Sequence, residues 1–156
     1  ETSGHCALEE NHDLDDGAYL VTLVLIEMAR LRREGKSLSS LLQGLREPVE
    51  AAEARLTIRA RDFAAYGQRA LDKVLAECER NEQWHLAPDN REGVRVSFDA
   101  AEGDGWFLLR MSLHDPVLPL NIESDAEGGV AAIAAHIYPV LLDMKELDLT
   151  QLEAIL

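Results

Sequence analysis

The chain has 156 residues, enough for one domain with a hydrophobic core and too few for two of full size. Its 47% hydrophobic content suits a globular fold, and 29 acidic against 15 basic residues give a formal net charge of −14, a field that repels nucleic acid and anionic membranes but still allows a local cationic cluster to hold a small anion. There is no long apolar run and no cleavable leader pattern, and Cys6 and Cys78 lack CxxC spacing, so a cytoplasmic protein with free thiols is expected, with no membrane and no nucleic-acid partner.

The chain opens on Glu1 rather than Met, in a loop-like stretch, and reads as part of something longer. Residues 1–16 show no periodicity. Their crowd of His5, Cys6, Glu9, Glu10, His12, Asp13, Asp15 and Asp16 has no zinc spacing, and Gly17 falls one position early for a calcium loop. These acids are therefore expected to be caps and solvated loop, with no metal site. Asp15 or Asp16 can cap a helix over "GAYLVTLVLIEMARLRR", closed by Arg30, Arg32 and Arg33 and by Gly35. That stretch is apolar almost all round, which predicts a deeply covered helix. "KSLSSLLQGL" predicts a second short helix, with Ser37 as its cap.

Pro48 marks a boundary between residues 1–47 and 48–156. Beyond it "ARLTIRA" alternates like a strand, and "DFAAYGQRALDKVLAECERN" has helical spacing after an Asp cap. "GVRVSFDA" and "WFLLRMS" flank a Gly-Asp-Gly turn and should pair antiparallel. "VLPLNIES" gives a further strand, and "AEGGVAAIAAHIYPVLLDM" a helix with Pro139 near its middle. Strand, helix, three strands, helix is an α+β order: an antiparallel sheet with helices on one face. Trp106, Phe107, Leu108 and Leu109 together read as sheet core.

Two places carry chemistry. Arg110 and Ser112 share a face at the end of a strand, and the turn after them, at Leu113 and His114, offers backbone N–H groups; a guanidinium fork, a hydroxyl and such a turn together grip phosphate. His114 would add a donor that gains charge as the pH falls through the sixes. The alternative is an ordinary hairpin, with Arg110 paired to a surface acid and His114 solvated. In "ETSGH", Glu1 and Ser3 can face one ligand while Gly4 lets backbone approach it; the alternative is a disordered terminus. Neither cysteine has an activating neighbour in sequence.

Taken together, "ETSGH" resembles the sugar-recognition loop Gly-Glu-x-Ser-Gly-His of the α-D-phosphohexomutases, the phosphomannomutase and phosphoglucomutase family, and "RMSLHDPVLPLNIES" resembles that family's C-terminal phosphate loop, Arg-x-Ser-Asn-Thr-x-Pro. The resemblance runs over the whole chain. It implies that residues 1–47 are the C-terminal part of a third, sugar-binding domain and that residues 48–156 are a fourth, phosphate-binding α+β domain. It further implies sugar binding by Glu1, Ser3 and His5, and binding of the non-transferred phosphate by Arg110, Ser112, Leu113 and His114. Leu113 stands where the family commonly has Asn and His114 where it has Thr; His-Asp-Pro at this place resembles a bacterial branch. The implied parent is an isomerase that moves a phosphoryl group between C1 and C6 of a hexose through a phosphoserine, with Mg²⁺ on an Asp-x-Asp-x-Asp loop and a hexose 1,6-bisphosphate as intermediate and activator. Neither the serine motif nor the metal loop occurs in this chain, so it holds no catalytic residue of that reaction, and its partners would be the hexose phosphate and the missing N-terminal domains. The competing function is an acidic α+β interaction or ligand-sensing domain without a catalytic role.

Overall fold

The computed structural model describes residues 6–90, 93–112 and 114–156, and the chain divides into two compact units, 1–46 and 47–156. In the first unit a 3-10 turn over Glu9–Asn11 precedes helix α1, Gly17–Arg33. The Asp16 carboxylate starts this helix, accepting from the N–H groups of Ala18 at 3.0 Å and Tyr19 at 3.1 Å, and Gly35 follows its end at φ +72°.

The expected deep cover is not found. Leu31 is the buried residue of α1, whereas Val21, Val24, Leu25, Ile26 and Met28 are 41–60% exposed, because no described element of this unit is large enough to cover a helix that is apolar on several sides. The second short helix is a 3-10 turn over Leu38–Leu42. Ser37 precedes it without capping it, its hydroxyl pairing with that of Ser39 at 2.7 Å instead.

The second unit has the α+β class expected: an antiparallel sheet backed by helices. Strand β1 (Glu50–Thr57), helix α2 (Phe63–Cys78), strands β2 (His85–Leu86), β3 (Val94–Phe98), β4 (Gly105–Leu109) and β5 (Val117–Ser124), helix α3 (Gly129–Leu141) and the single turn α4 (Thr150–Glu153) follow in order. The sheet runs β1-β5-β4-β3-β2, antiparallel at each pairing. Alternation sets its two faces. Leu56, Val94, Val96, Phe98, Phe107, Leu109, Leu118, Leu120 and Ile122 point inward against Val74 of α2 and Ile133, Ile137 and Leu141 of α3. Each of these large apolar side chains contributes roughly 1.5–3 kcal/mol when fully buried.

Four details depart from the sequence expectations. Strand β1 starts at Glu50 rather than Ala54, since pairing with β5 from Glu50↔Ser124 onward overrides the helical propensity of "EAAE". Pro139 lies in the last turn of α3 rather than near its middle, so the helix hydrogen bond it forgoes falls close to the C-terminal end. The β3–β4 connection spans residues 99–104, with Gly103 and Asp104 both at positive φ. Trp106 and Leu108 are not core: they alternate with Phe107 and Leu109 and lie on the opposite, uncovered face.

Both edges of the sheet are short of free backbone. Along β1, Gln151 accepts from Arg55 N–H at 2.7 Å, Asp148 N–H donates to Thr57 at 2.8 Å, and Arg59 N–H donates to Glu146 at 2.7 Å. The other edge, β2, is two residues long.

Candidate anion-binding site

Strand β4 continues past Leu109 into the hairpin that carries Arg110 and Ser112. Arg110 N–H donates to Pro119 C=O at 3.1 Å and Ser112 N–H to Val117 C=O at 3.0 Å, so both residues keep the β5 register and project from the uncovered face. The register sets rows across that face. Arg55, Pro119 and Arg110 form one, and Thr57, Val117 and Ser112 the next.

The hairpin is fixed from several sides. Asp115 N–H donates to Ser112 Oγ at 3.2 Å, Val117 N–H to Asp115 C=O at 2.7 Å, and Ile58 N–H to Pro116 C=O at 2.7 Å. Met111 points the other way, against α2, and fits because residue 67 is glycine: a Cβ there would lie 2.8 Å from Met111 Sδ. Beside Arg110 stands Gly93, at φ +150°, where a Cβ would come within 2.3 Å of Leu109 C=O and 2.9 Å of Arg110 Cβ. Backbone thus approaches Arg110 more closely than any residue but glycine would allow.

Arg110 and Ser112 are half-buried, and His114 is exposed at the tip. Ser112 Oγ accepts a hydrogen bond from within the loop, which leaves its own proton available to an incoming oxyanion. The structure therefore brings Arg110 and Ser112 together at one end of the open face. Glu1, Ser3, His5 and Leu113 lie outside the described residues.

Further cations on this face were not singled out in the sequence. Arg95 of β3 pairs with Leu108 of β4, and Trp106 and Arg110 flank Leu108 on the same side. The Arg95 guanidinium sits 4.3 Å over the Trp106 ring. Arg55 lies two strands from Arg110, with Nη1 3.4 Å from Glu53 Oε1. The signal for this grouping was the hairpin register: opposing Phe98 to Gly105 places Arg95 beside Trp106, although 11 positions separate them in the chain.

Among the described residues no three His, Cys, Asp or Glu side chains converge in a group that could hold a metal ion. No described helix is long and apolar enough to cross a membrane. Among the thiols, Cys78 donates to Val74 C=O at 3.2 Å, and burial, with the nearby carboxylates of Glu77 and Glu79, pushes it up to about 11.

No protein-family model matches the chain, and no curated protein matches it in sequence. Among solved structures it is similar to the crystal structure of a phosphoglucomutase/phosphomannomutase family protein from Burkholderia thailandensis, with a TM-score of 0.58 and 25% sequence identity. The match covers 92% of this chain and 27% of that one, so the chain spans about a quarter of the neighbour's length.

Proposed function

We propose that this chain is the C-terminal, phosphate-clamping portion of a phosphohexomutase of the phosphomannomutase/phosphoglucomutase kind, acting on hexose phosphates. Residues 48–156 form the phosphate-binding domain, and residues 1–47 the tail of a sugar-binding one. The observation that carries this is the pairing of Arg110 and Ser112 on one face of a braced hairpin, in a fold similar to that of a phosphoglucomutase/phosphomannomutase family protein.

In this assignment the Arg110 fork takes two oxygens of the phosphate that is not transferred, and Ser112 donates to a third. His114, Leu113 N–H and the loop backbone close around it, while Glu1, Ser3 and His5 meet the sugar hydroxyls. Holding the phosphate and the hydroxyls together fixes how far the opposite end of the sugar reaches, which is positioning rather than chemistry. The phosphoserine, Mg²⁺ and the transfer step belong to the remainder of the parent, and this chain alone is inactive as a mutase. A hexose 1,6-bisphosphate fits as intermediate because the clamp contacts phosphate and not a particular sugar carbon.

Calorimetric titration with mannose 1-phosphate and glucose 1,6-bisphosphate tests the assignment. The wild-type chain binds and Arg110→Ala loses roughly tenfold to hundredfold in affinity, the worth of a charge-assisted bidentate contact. Equal binding by the two proteins would remove Arg110 from the site.

A further inference from the structure

We infer that the helical side of the second unit carries a further binding site, for a small hydroxylated anion of the hydroxycarboxylate or sugar-phosphate class, in the cavity lined by Trp84 and Ala135. It is separate from the hairpin of Arg110 and Ser112. Helices α2 and α3 cover one face of the sheet, and those two residues project from the other.

The cavity has a volume of about 330 Å³, the size of a small-molecule site. Trp84, one of its lining residues, is 4% exposed. Its backbone N–H donates to Asn81 C=O at 3.0 Å, and its ring meets Phe98 and Phe107 edge-on, with centroids 5.7 and 5.5 Å apart. The indole N–H, however, has no hydrogen-bond partner among the described residues. Leaving such a donor unpaired costs about 1–3 kcal/mol, which a ligand bringing an acceptor recovers. Ala135 of α3 lines the same cavity, and because residue 139 is proline its carbonyl receives no helix hydrogen bond from four residues on. A donor and an acceptor, each short of a partner, thus belong to one cavity. A carboxylate answers only the first and an ammonium only the second; a hydroxyl, which accepts and donates, answers both. His136, its ring centroid 4.9 Å from that of Phe98, stacks there as a further wall.

Charge gives the rest of the ligand. An adjoining cavity of about 640 Å³ shares Glu77, Pro139 and Val140 with the first, so a molecule seated by Trp84 extends into it. There Lys73, Arg80 and Lys145 stand against Glu77 and Asp143, one positive charge in excess within a chain of net charge −14. Lys73 is paired with Asp143, whereas Arg80, just past the end of α2, forms no ion pair among the described residues. Its guanidinium fork suits a carboxylate or phosphate. Glu77, on the border of the two cavities, accepts from a second hydroxyl.

The indole N–H supplies a readout specific to this site. The chain has two tryptophans, so a nitrogen–proton correlation spectrum shows two indole signals, and the one that remains in Trp106→Phe is that of Trp84. Glycerol 3-phosphate and glycerate are titrated beside glycerol, which lacks the anion, and inorganic phosphate, which lacks the hydroxyls. Both hydroxylated anions should move the Trp84 signal downfield saturably, and the tighter of them names the anionic group; the two controls should bind roughly tenfold or more weakly. The response should persist in Arg110→Ala. Arg80→Gln, a change at an exposed position, should weaken binding roughly tenfold, about one charge-assisted contact. Pro139→Ala returns an N–H donor to the Ala135 carbonyl, so it should raise the Tm while weakening the ligand. A Trp84 signal unmoved by all four probes overturns the site, and a response lost in a folded Arg110→Ala overturns its separateness from the hairpin. Full affinity in Arg80→Gln, or glycerol binding as well as glycerol 3-phosphate, overturns the anionic class.

Discussion

At the residue scale, the hairpin that carries Arg110 and Ser112 depends on glycines as much as on its polar groups. Gly93→Ala places a Cβ against Leu109 C=O at a φ that side chains rarely adopt, so it is expected to cost about 2 kcal/mol or more of stability, measured by urea unfolding, and to weaken phosphate binding by shifting Arg110. Cys78 gives a second expectation. With its thiol held near 11, it is almost entirely protonated at mildly alkaline pH, and alkylation by iodoacetamide, followed by mass spectrometry, should label it far more slowly than an unfolded control. The common face of Arg110 and Ser112 was legible in the sequence because it needs only strand alternation. Arg95 over Trp106 was not, because a cross-strand contact also needs the register, and a run such as "WFLL" looks uniformly apolar until alternation is imposed on it.

Elements were legible where the cap and the periodicity agreed. Asp16 and Asp62 cap α1 and α2 as their positions imply, and "VLPLNIES" is β5 to the residue. Helix α3 shows what local sequence leaves out. Gly128 precedes it without a capping side chain, and the service comes from Glu50 at the start of β1, whose carboxylate accepts from Gly128 N–H at 2.8 Å and Val130 N–H at 3.1 Å. A contact between residues 78 positions apart has no signature in a window of sequence. These backbone donors lower the Glu50 pKa below 4.5. The stabilisation is therefore present above the unfolded-state pKa and is lost as the pH falls through the lower folded-state value. Glu50→Gln should be less stable than wild type at neutral pH, with the gap closing in acid, as melts across that range would show. The Asp148 carboxyl is lowered as well. Thr150, through its hydroxyl and N–H, and then Arg59 hold its carboxyl at about 2, so the cover on the β1 edge should survive mild acid.

At the scale of the molecule, two compact units differ in how well each covers its own apolar residues. Residues 47–156 enclose a continuous core and should unfold cooperatively when expressed without the first unit; a broad, non-cooperative transition of that truncation would count against its independence. The first unit leaves Val21, Val24, Leu25, Ile26 and Met28 of α1 exposed, which amounts to an apolar surface of the kind that associates. Sedimentation should show concentration-dependent oligomers that Leu25→Glu with Ile26→Lys suppresses. The sequence indicated a helix there but not its exposure, since an all-round apolar helix reads as buried whether or not its covering layer is present.

The edges of the sheet determine what form such association takes. One side is sealed from Arg55 to Arg59 by the segment ending in α4, and the other offers only His85 and Leu86, so neither presents a long ladder for a foreign strand to extend. Growth by strand addition is closed off while the second unit stays folded. Assemblies of this chain should accordingly be finite, dispersible by mild detergent and unresponsive to thioflavin T.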